Sequence, residues 1–141
     1  MKIERDVLID APLERVWALV TEPGWWIGED RPTGVELREG DVHVVSTKEH
    51  GSYPTRVERV EPPRYVAYRW ASSWPDTTPD ERNSTLIEFT LAEESDGVRL
   101  TVVESGFESV EAPEDVRRKT FDDNSGGWTE ELAKFKEYAE R

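Results

Sequence analysis

The stretch NSGGWTEELAKFKEY, residues 124–138, decides between two arrangements of the chain. An apolar stripe with helical spacing runs through it and one residue beyond, formed by Trp128, Leu132, Phe135 and Ala139. Each glycine before this stripe costs a helix about 1 kcal/mol relative to alanine. Gly126 and Gly127 therefore either cap a short helix that runs from Pro113 to Asp123, or lie inside one long helix.

The chain before this stretch has the pattern of an antiparallel sheet. Residues 3–9 predict a first strand, and residues 12–22 predict a helix in which Leu13, Val16, Trp17 and Val20 recur at helical spacing. Period-two alternation then predicts strands near 35–38, 42–48, 53–60, 64–71, 84–92 and 97–105. Turn signals separate most of them, at 39–41, 50–52, 61–63 and 95–97. The polar, proline-containing segment 72–83 predicts a long loop.

A single antiparallel sheet must cover one of its faces, and the C-terminal helix is the apolar element long enough to do so. The sequence therefore predicts an α+β fold in one domain, residues 1–141, with a curved antiparallel sheet under a long C-terminal helix. In the continuous helix, Gly126 and Gly127 are expected where the helix backbone crosses closest to the sheet.

Strand parity predicts which side chains face the helix. These are Val66, Tyr68 and Trp70 on one strand, Ile87, Phe89 and Leu91 on the next, and Val98, Leu100, Val102 and Glu104 on the last. Glu104 is the anomaly, because a carboxylate continues an apolar row. We expect it to pair with an arginine at the strand end, since charged residues are rarely buried unpaired. The alternative is a carboxylate at the mouth of a cavity, where burial would raise its pKa.

Aromatic residues are the main candidates for a binding site. The candidate ligand-binding residues are Trp25, Trp26, Tyr53, Tyr68, Trp70, Trp74, Phe89, Glu104, Trp128 and Leu132. Ordinary core packing explains Trp70 and Trp128 equally well. The sequence places Trp25, Trp26 and Trp74 in loops, where we expect them to close one end of a cavity.

Composition excludes several classes of function. The formal net charge of −13 disfavours nucleic acid and anionic lipid as partners. The chain has no cysteine, so disulfides and thiolate metal sites are excluded. Neither an apolar run long enough to span a membrane nor a signal peptide is present, which predicts a cytoplasmic protein.

Catalytic and metal-binding patterns are not found in the sequence. The two histidines, His43 and His50, do not have the spacing of a zinc site with Asp or Glu. The serines near residues 105 and 125 lack the strand–turn–helix context of a nucleophile elbow. We therefore predict no catalytic residues, no metal and no cofactor.

Five segments in order resemble the activator of heat-shock protein 90 ATPase homologue-like family, in the START-like (SRPBCC) superfamily. They are DAPLERVWALVTEP (10–23), ELREGDVHVV (36–45), VERVEPPRYVAYRWA (57–71), STLIEFTLAEESDGVRLTVVESGF (84–107) and NSGGWTEELAKFKEY (124–138). The resemblance implies a helix-grip fold with a cavity between sheet and helix. It also implies a continuous or merely kinked helix from about Pro113 to Glu140, with the glycines inside it.

Three functions follow from the pattern and the resemblance together. The first is non-enzymatic binding of a small hydrophobic molecule, such as a lipid, a sterol or a polyketide-like compound, in that cavity. The second is a chaperone as protein partner, as for the family's namesake, with stimulation of its ATPase. The third is a cyclase or aromatase reaction in the same cavity, which polar groups inside it would support, with Glu104, Tyr53 and Tyr68 as the candidates to point inward.

Overall fold

The computed structural model describes residues 1–28 and 34–141. Its elements, in chain order, are β1 (Lys2–Ile9), α1 (Leu13–Val20), β2 (Val42–Ser46), β3 (Ser52–Glu61), β4 (Tyr65–Trp70), β5 (Thr85–Glu94), β6 (Gly97–Ser105) and α2 (Glu114–Ala139). A short 3₁₀ turn, Phe107–Ser109, connects β6 to the segment before α2. No helix in the described ranges combines the length and the apolar character that crossing a bilayer requires.

The strands form one antiparallel sheet in the order β1-β6-β5-β4-β3-β2. The long helix α2 lies over one face of this curved sheet, which confirms the predicted fold class. The predicted faces are also confirmed, because Val66, Ile87, Phe89 and Leu100 are buried in the core beneath the helix. Alternation with period two was sufficient to assign them, since a strand that buries one face fixes its own register.

The strand predicted at residues 35–38 is absent from the described structure, where the sheet begins again at Val42. A turn precedes β2 instead, in which the Asp41 amide donates to the carbonyl of Arg38 (3.1 Å). Leu37 packs against the core without joining a strand. The alternation of apolar and polar residues over 35–38 therefore reflects side-chain packing without strand pairing. The sequence pattern does not distinguish between these two cases.

Helix α2 is continuous across 26 residues and passes through the paired glycines. The short capped helix ending at Asp123 is therefore wrong, and the continuous helix is confirmed. The reason expected for the glycines is also wrong. A Cβ added at Gly126 or Gly127 would meet nothing within 4 Å, so no close contact with the sheet requires glycine there.

A glycine is required by close packing at another place, Gly24 in the loop after α1. Its φ is +72°, and an added Cβ would lie 2.3 Å from Cγ2 of Val45 on β2. Both the backbone conformation and the contact exclude a larger residue. This loop therefore packs directly against the edge strand and fixes where the next residues enter the interior.

The glycines of α2 give a stability prediction. Gly126→Ala and Gly127→Ala should each raise the free energy of unfolding by about 1 kcal/mol, because alanine adds helix propensity where space is free. Chemical denaturation measures the change. Gly24→Ala is the matched control and should destabilise the protein, and a loss of stability in the α2 variants would contradict this account.

Candidate functional site

The space between the sheet and α2 is filled by aromatic side chains. The central ones are Trp25, Trp26, Tyr68, Phe89, Trp128 and Phe135, all buried. Two strands, one helix and one loop supply them, and the remaining predicted residue of α2, Leu132, lies in the same cluster. The structure therefore brings together most of the residues that the sequence indicated.

The loop tryptophans lie inside this cluster. The Trp25 ring is 4.7 Å from Phe135 and 5.3 Å from Phe89, measured between ring centroids. The Trp26 ring is 5.3 Å from Tyr68. The two rings therefore occupy the middle of the interior, so their role is larger than closing one end.

The other predicted aromatic residues lie farther out. Trp70 and Tyr53 are half-buried neighbours on the concave face, with ring centroids 5.8 Å apart. Burial raises the pKa of the Tyr53 phenol, and the nearby Asp76 carboxylate raises it further. Trp74 is half-buried in the loop between β4 and β5, outside the buried core.

Among the described residues, Glu104 is the one carboxylate buried in this core, with no exposed surface. Its Oε2 accepts from Trp70 Nε1 (2.9 Å) and Thr85 Oγ1 (2.6 Å), and its Oε1 accepts from Trp128 Nε1 (2.8 Å). The Asn124 amide donates to both oxygens, at 3.2 and 3.1 Å. Within residues 1–28 and 34–141 the predicted arginine partner is not found, and neutral donors hold the carboxylate instead.

The donors explain why a carboxylate is placed here. Two indole N–H groups point into the aromatic packing, that of Trp128 buried and that of Trp70 partly buried, and each requires an acceptor. The Glu104 carboxylate supplies both acceptors. Because its donors lie on β4, β5 and α2, these hydrogen bonds link those three elements to β6. Burial nevertheless raises the pKa of Glu104, and the hydrogen bonds from its donors oppose that rise.

Asn124 and Thr85 were missed by the sequence prediction. Asn124 precedes Trp128 by one helical turn, so the two lie on the same face of α2 and reach the same carboxylate. This spacing was a usable signal. Thr85 carried no such signal, because threonine is common at the first position of a strand.

A groove of about 560 Å³ opens beside the aromatic interior. It lies between the loop after α1 and the C-terminal half of α2, and its walls include Trp25 and Phe135. Leu19, Ile27 and Tyr138 extend the apolar surface. The groove therefore reaches the interior cluster at Trp25.

The rim of this groove is charged but internally paired. Lys134 lies 3.6 Å from Glu131, and Arg141 lies 3.5 Å from Glu137. Pairs of opposite sign on an exposed rim give little net attraction for a charged ligand. Within the described ranges, no group of three metal-ligating side chains is found.

A six-stranded antiparallel sheet held against one long helix, with an aromatic interior between them, defines a helix-grip protein of the START-like class. The chain belongs to the family described as Activator of Hsp90 ATPase homolog 1-like protein, whose sequence profile matches residues 10–140. No curated protein matches the chain.

Solved structures share this fold at low sequence identity. Protein MLL2253 from Mesorhizobium loti has a TM-score of 0.73 and 19% identity, over 97% of this chain and 95% of that chain. The Aha1 dimer from Colwellia psychrerythraea has a TM-score of 0.70 and 16% identity, over 99% and 96%. DynU16, from the dynemicin biosynthetic locus, has a TM-score of 0.70 and 20% identity, over 97% of this chain and 46% of that chain. At these identities, the likeness shows the fold alone.

Proposed function

We propose that this protein binds a small hydrophobic molecule, such as a lipid, a sterol or a polyketide-like compound, in the groove beside α2 that meets the interior between the sheet and this helix at Trp25. The observation that carries the proposal is the groove of about 560 Å³, because Trp25 and Phe135 belong both to its walls and to the interior cluster. Concave, mainly apolar sites of this size are typical of small-molecule binding.

The ligand is expected to be largely neutral. The rim charges are paired with one another, and the interior beyond Trp25 is aromatic. An unpaired charge moved into such surroundings would lose its hydration without compensation. An apolar body with few polar groups therefore fits best, and we place this binding in the cytoplasm, as the sequence predicts.

The predicted site residues take different parts in this proposal. Trp25 lies at the groove, while Trp26, Tyr68, Phe89, Trp128 and Leu132 form the interior that a ligand would contact. Tyr53, Trp70 and Trp74 lie toward the partly exposed side. Glu104 acts through the two tryptophans that it orients.

Contact with a chaperone is a second candidate function. It needs an exposed apolar surface, and the edge strand β2 offers Val42 and Val44, which are 42% and 55% exposed. A cyclase reaction receives less support. Glu104 and Tyr68 do point inward, but the former is held by four side chains and the Tyr68 hydroxyl donates to the Val20 carbonyl (3.0 Å).

Ligand titration tests the proposal. Fatty acids, sterols, flavonoids and polyketide-like aromatics are titrated while tryptophan fluorescence and the indole N–H signals in NMR are followed. We expect at least one class to give a saturable change at Trp25 and Trp26, because the groove meets the interior there. Trp74→Phe is the control and should leave the response unchanged.

The absence of any response would contradict small-molecule binding. Val44→Asp would then test the second candidate, by measuring whether stimulation of a chaperone ATPase by the native chain is lost in the variant.

A further inference from the structure

One row of side chains crosses the concave face of four strands. His43 on β2 is opposite Thr55 on β3, Thr55 is opposite Trp70 on β4, and Trp70 is opposite Thr85 on β5. Directly opposed residues of antiparallel strands share a face, with Cβ atoms about 5 Å apart. The row is therefore a continuous strip of polar and aromatic side chains beneath the interior cluster.

The two halves of this row differ in their hydrogen bonding. On one half, Trp70 and Thr85 donate to Glu104. On the other half, Thr55 Oγ1 and His43 Nε2 are buried and have no hydrogen-bond partner within residues 1–28 and 34–141.

Trp26 adds a third atom of the same kind. Its ring packs edge-on against Trp70, at a centroid distance of 5.8 Å, and its buried Nε1 also lacks a partner in the described part of the chain. Folded proteins satisfy the large majority of buried polar atoms. Three exceptions, at His43 and Thr55 in the row and at Trp26 against its Trp70, indicate a polar group that residues 1–28 and 34–141 do not supply.

We propose that Trp26, Thr55 and His43 form a subsite for a hydroxyl or carbonyl oxygen on a ring-sized apolar ligand. The indole N–H only donates, so the ligand atom must accept, while the Thr55 hydroxyl can donate or accept. None of the three atoms belongs to a carboxylate or an ammonium group, so a charged ligand group would be buried without a partner. This subsite rests on the proposed function and names the polar end of its ligand.

The location suits the groove. Trp25 faces the groove and Trp26, the next residue, faces the row, with the two rings 5.9 Å apart. A ligand that enters from the groove and displaces the rings that fill the interior would bring its oxygen toward Thr55.

Two probes of matched shape test the subsite, 2-naphthol and 2-methylnaphthalene. We expect 2-naphthol to bind the native chain about tenfold more tightly than 2-methylnaphthalene does, because its hydroxyl can form one or two additional hydrogen bonds. The Trp26 indole proton should move downfield with 2-naphthol only. Thr55→Val keeps the shape of the side chain and should reduce the preference severalfold, while Thr90→Val, on the outer face, should leave it unchanged.

Thermal unfolding without ligand gives an independent readout. Thr55→Val should raise the unfolding midpoint by about 4 °C, because a methyl group replaces a buried hydroxyl without a partner. A lower midpoint would overturn the subsite, since the hydroxyl would then have a partner such as water. Equal binding of both probes would overturn it while leaving the proposed function intact. Failure of both probes to bind would overturn the subsite for a ring-sized ligand, and the response to the wider ligand panel would then decide the proposed function separately.

Discussion

Glu104→Ala will lower the free energy of unfolding by about 4 kcal/mol, the loss expected when several buried donors lose one shared acceptor. The indole N–H of Trp128 would remain buried, and that of Trp70 partly buried, without the partner that both now share. Asn124 and Thr85 would lose theirs at the same time. Urea unfolding followed by tryptophan fluorescence measures the change.

Glu104→Gln keeps the volume of the side chain but replaces one of its two acceptor oxygens by a donor. The indole of Trp128 donates to one carboxylate oxygen and the indole of Trp70 to the other, so an amide NH₂ must face one of them in either orientation. We expect a loss of about 2 kcal/mol. The control is Glu4→Gln, whose exposed ion pair with Lys2 should contribute less than about 0.5 kcal/mol.

The pH dependence of the same variant follows from burial. Burial raises the pKa of Glu104 in the folded state, so the folded protein holds this proton to higher pH than the unfolded chain does. The stability gained from proton binding by Glu104 is fully present below the pKa of a glutamate in the unfolded chain, near 4.3. It is lost as the pH rises through the pKa of Glu104 in the folded protein. Native stability minus that of Glu104→Gln should therefore fall with rising pH. A difference that grows instead would show that the four donors outweigh burial.

The sequence predicted the sheet and helix well because their patterns are local. One apolar face on each strand, and one stripe on α2, were enough to identify which side chains meet. Glu104 was placed on the correct face for this reason. Its partners were not predicted, since a carboxylate held by two indoles, an amide and a hydroxyl depends on four elements meeting in space.

Local sequence patterns did not predict where the loop after α1 places its side chains. Trp25 and Trp26 have no periodicity to assign them, and only the fold shows that the loop carries both rings into the core. Gly24 permits this entry, because any larger residue at that position would collide with Val45. The opposite error occurred at Gly126, where close packing was expected but the space is open.

Trp26→Ala should have an effect as large as that of Glu104→Ala, a loss of about 4 kcal/mol in the free energy of unfolding. Its ring contacts five others, those of Trp25, Tyr68, Trp70, Phe89 and Trp128. Removal of the indole leaves a cavity that these rigid rings cannot fill. Trp74→Ala is the matched control, and its half-buried side chain should contribute about 1 kcal/mol or less.

Added indole should restore part of this loss, because an apolar cavity of the correct shape binds the fragment that was removed. At a concentration about five times its dissociation constant, indole would stabilise Trp26→Ala by about 1 kcal/mol and leave Trp74→Ala unchanged. The rescue would show that the rings around Trp26 keep their positions and accept a flat aromatic molecule between them, as binding of an apolar ligand among these rings would need. A variant that loses stability but takes up no indole would mean that the neighbouring rings collapse into the space, and the interior would then be ordinary core.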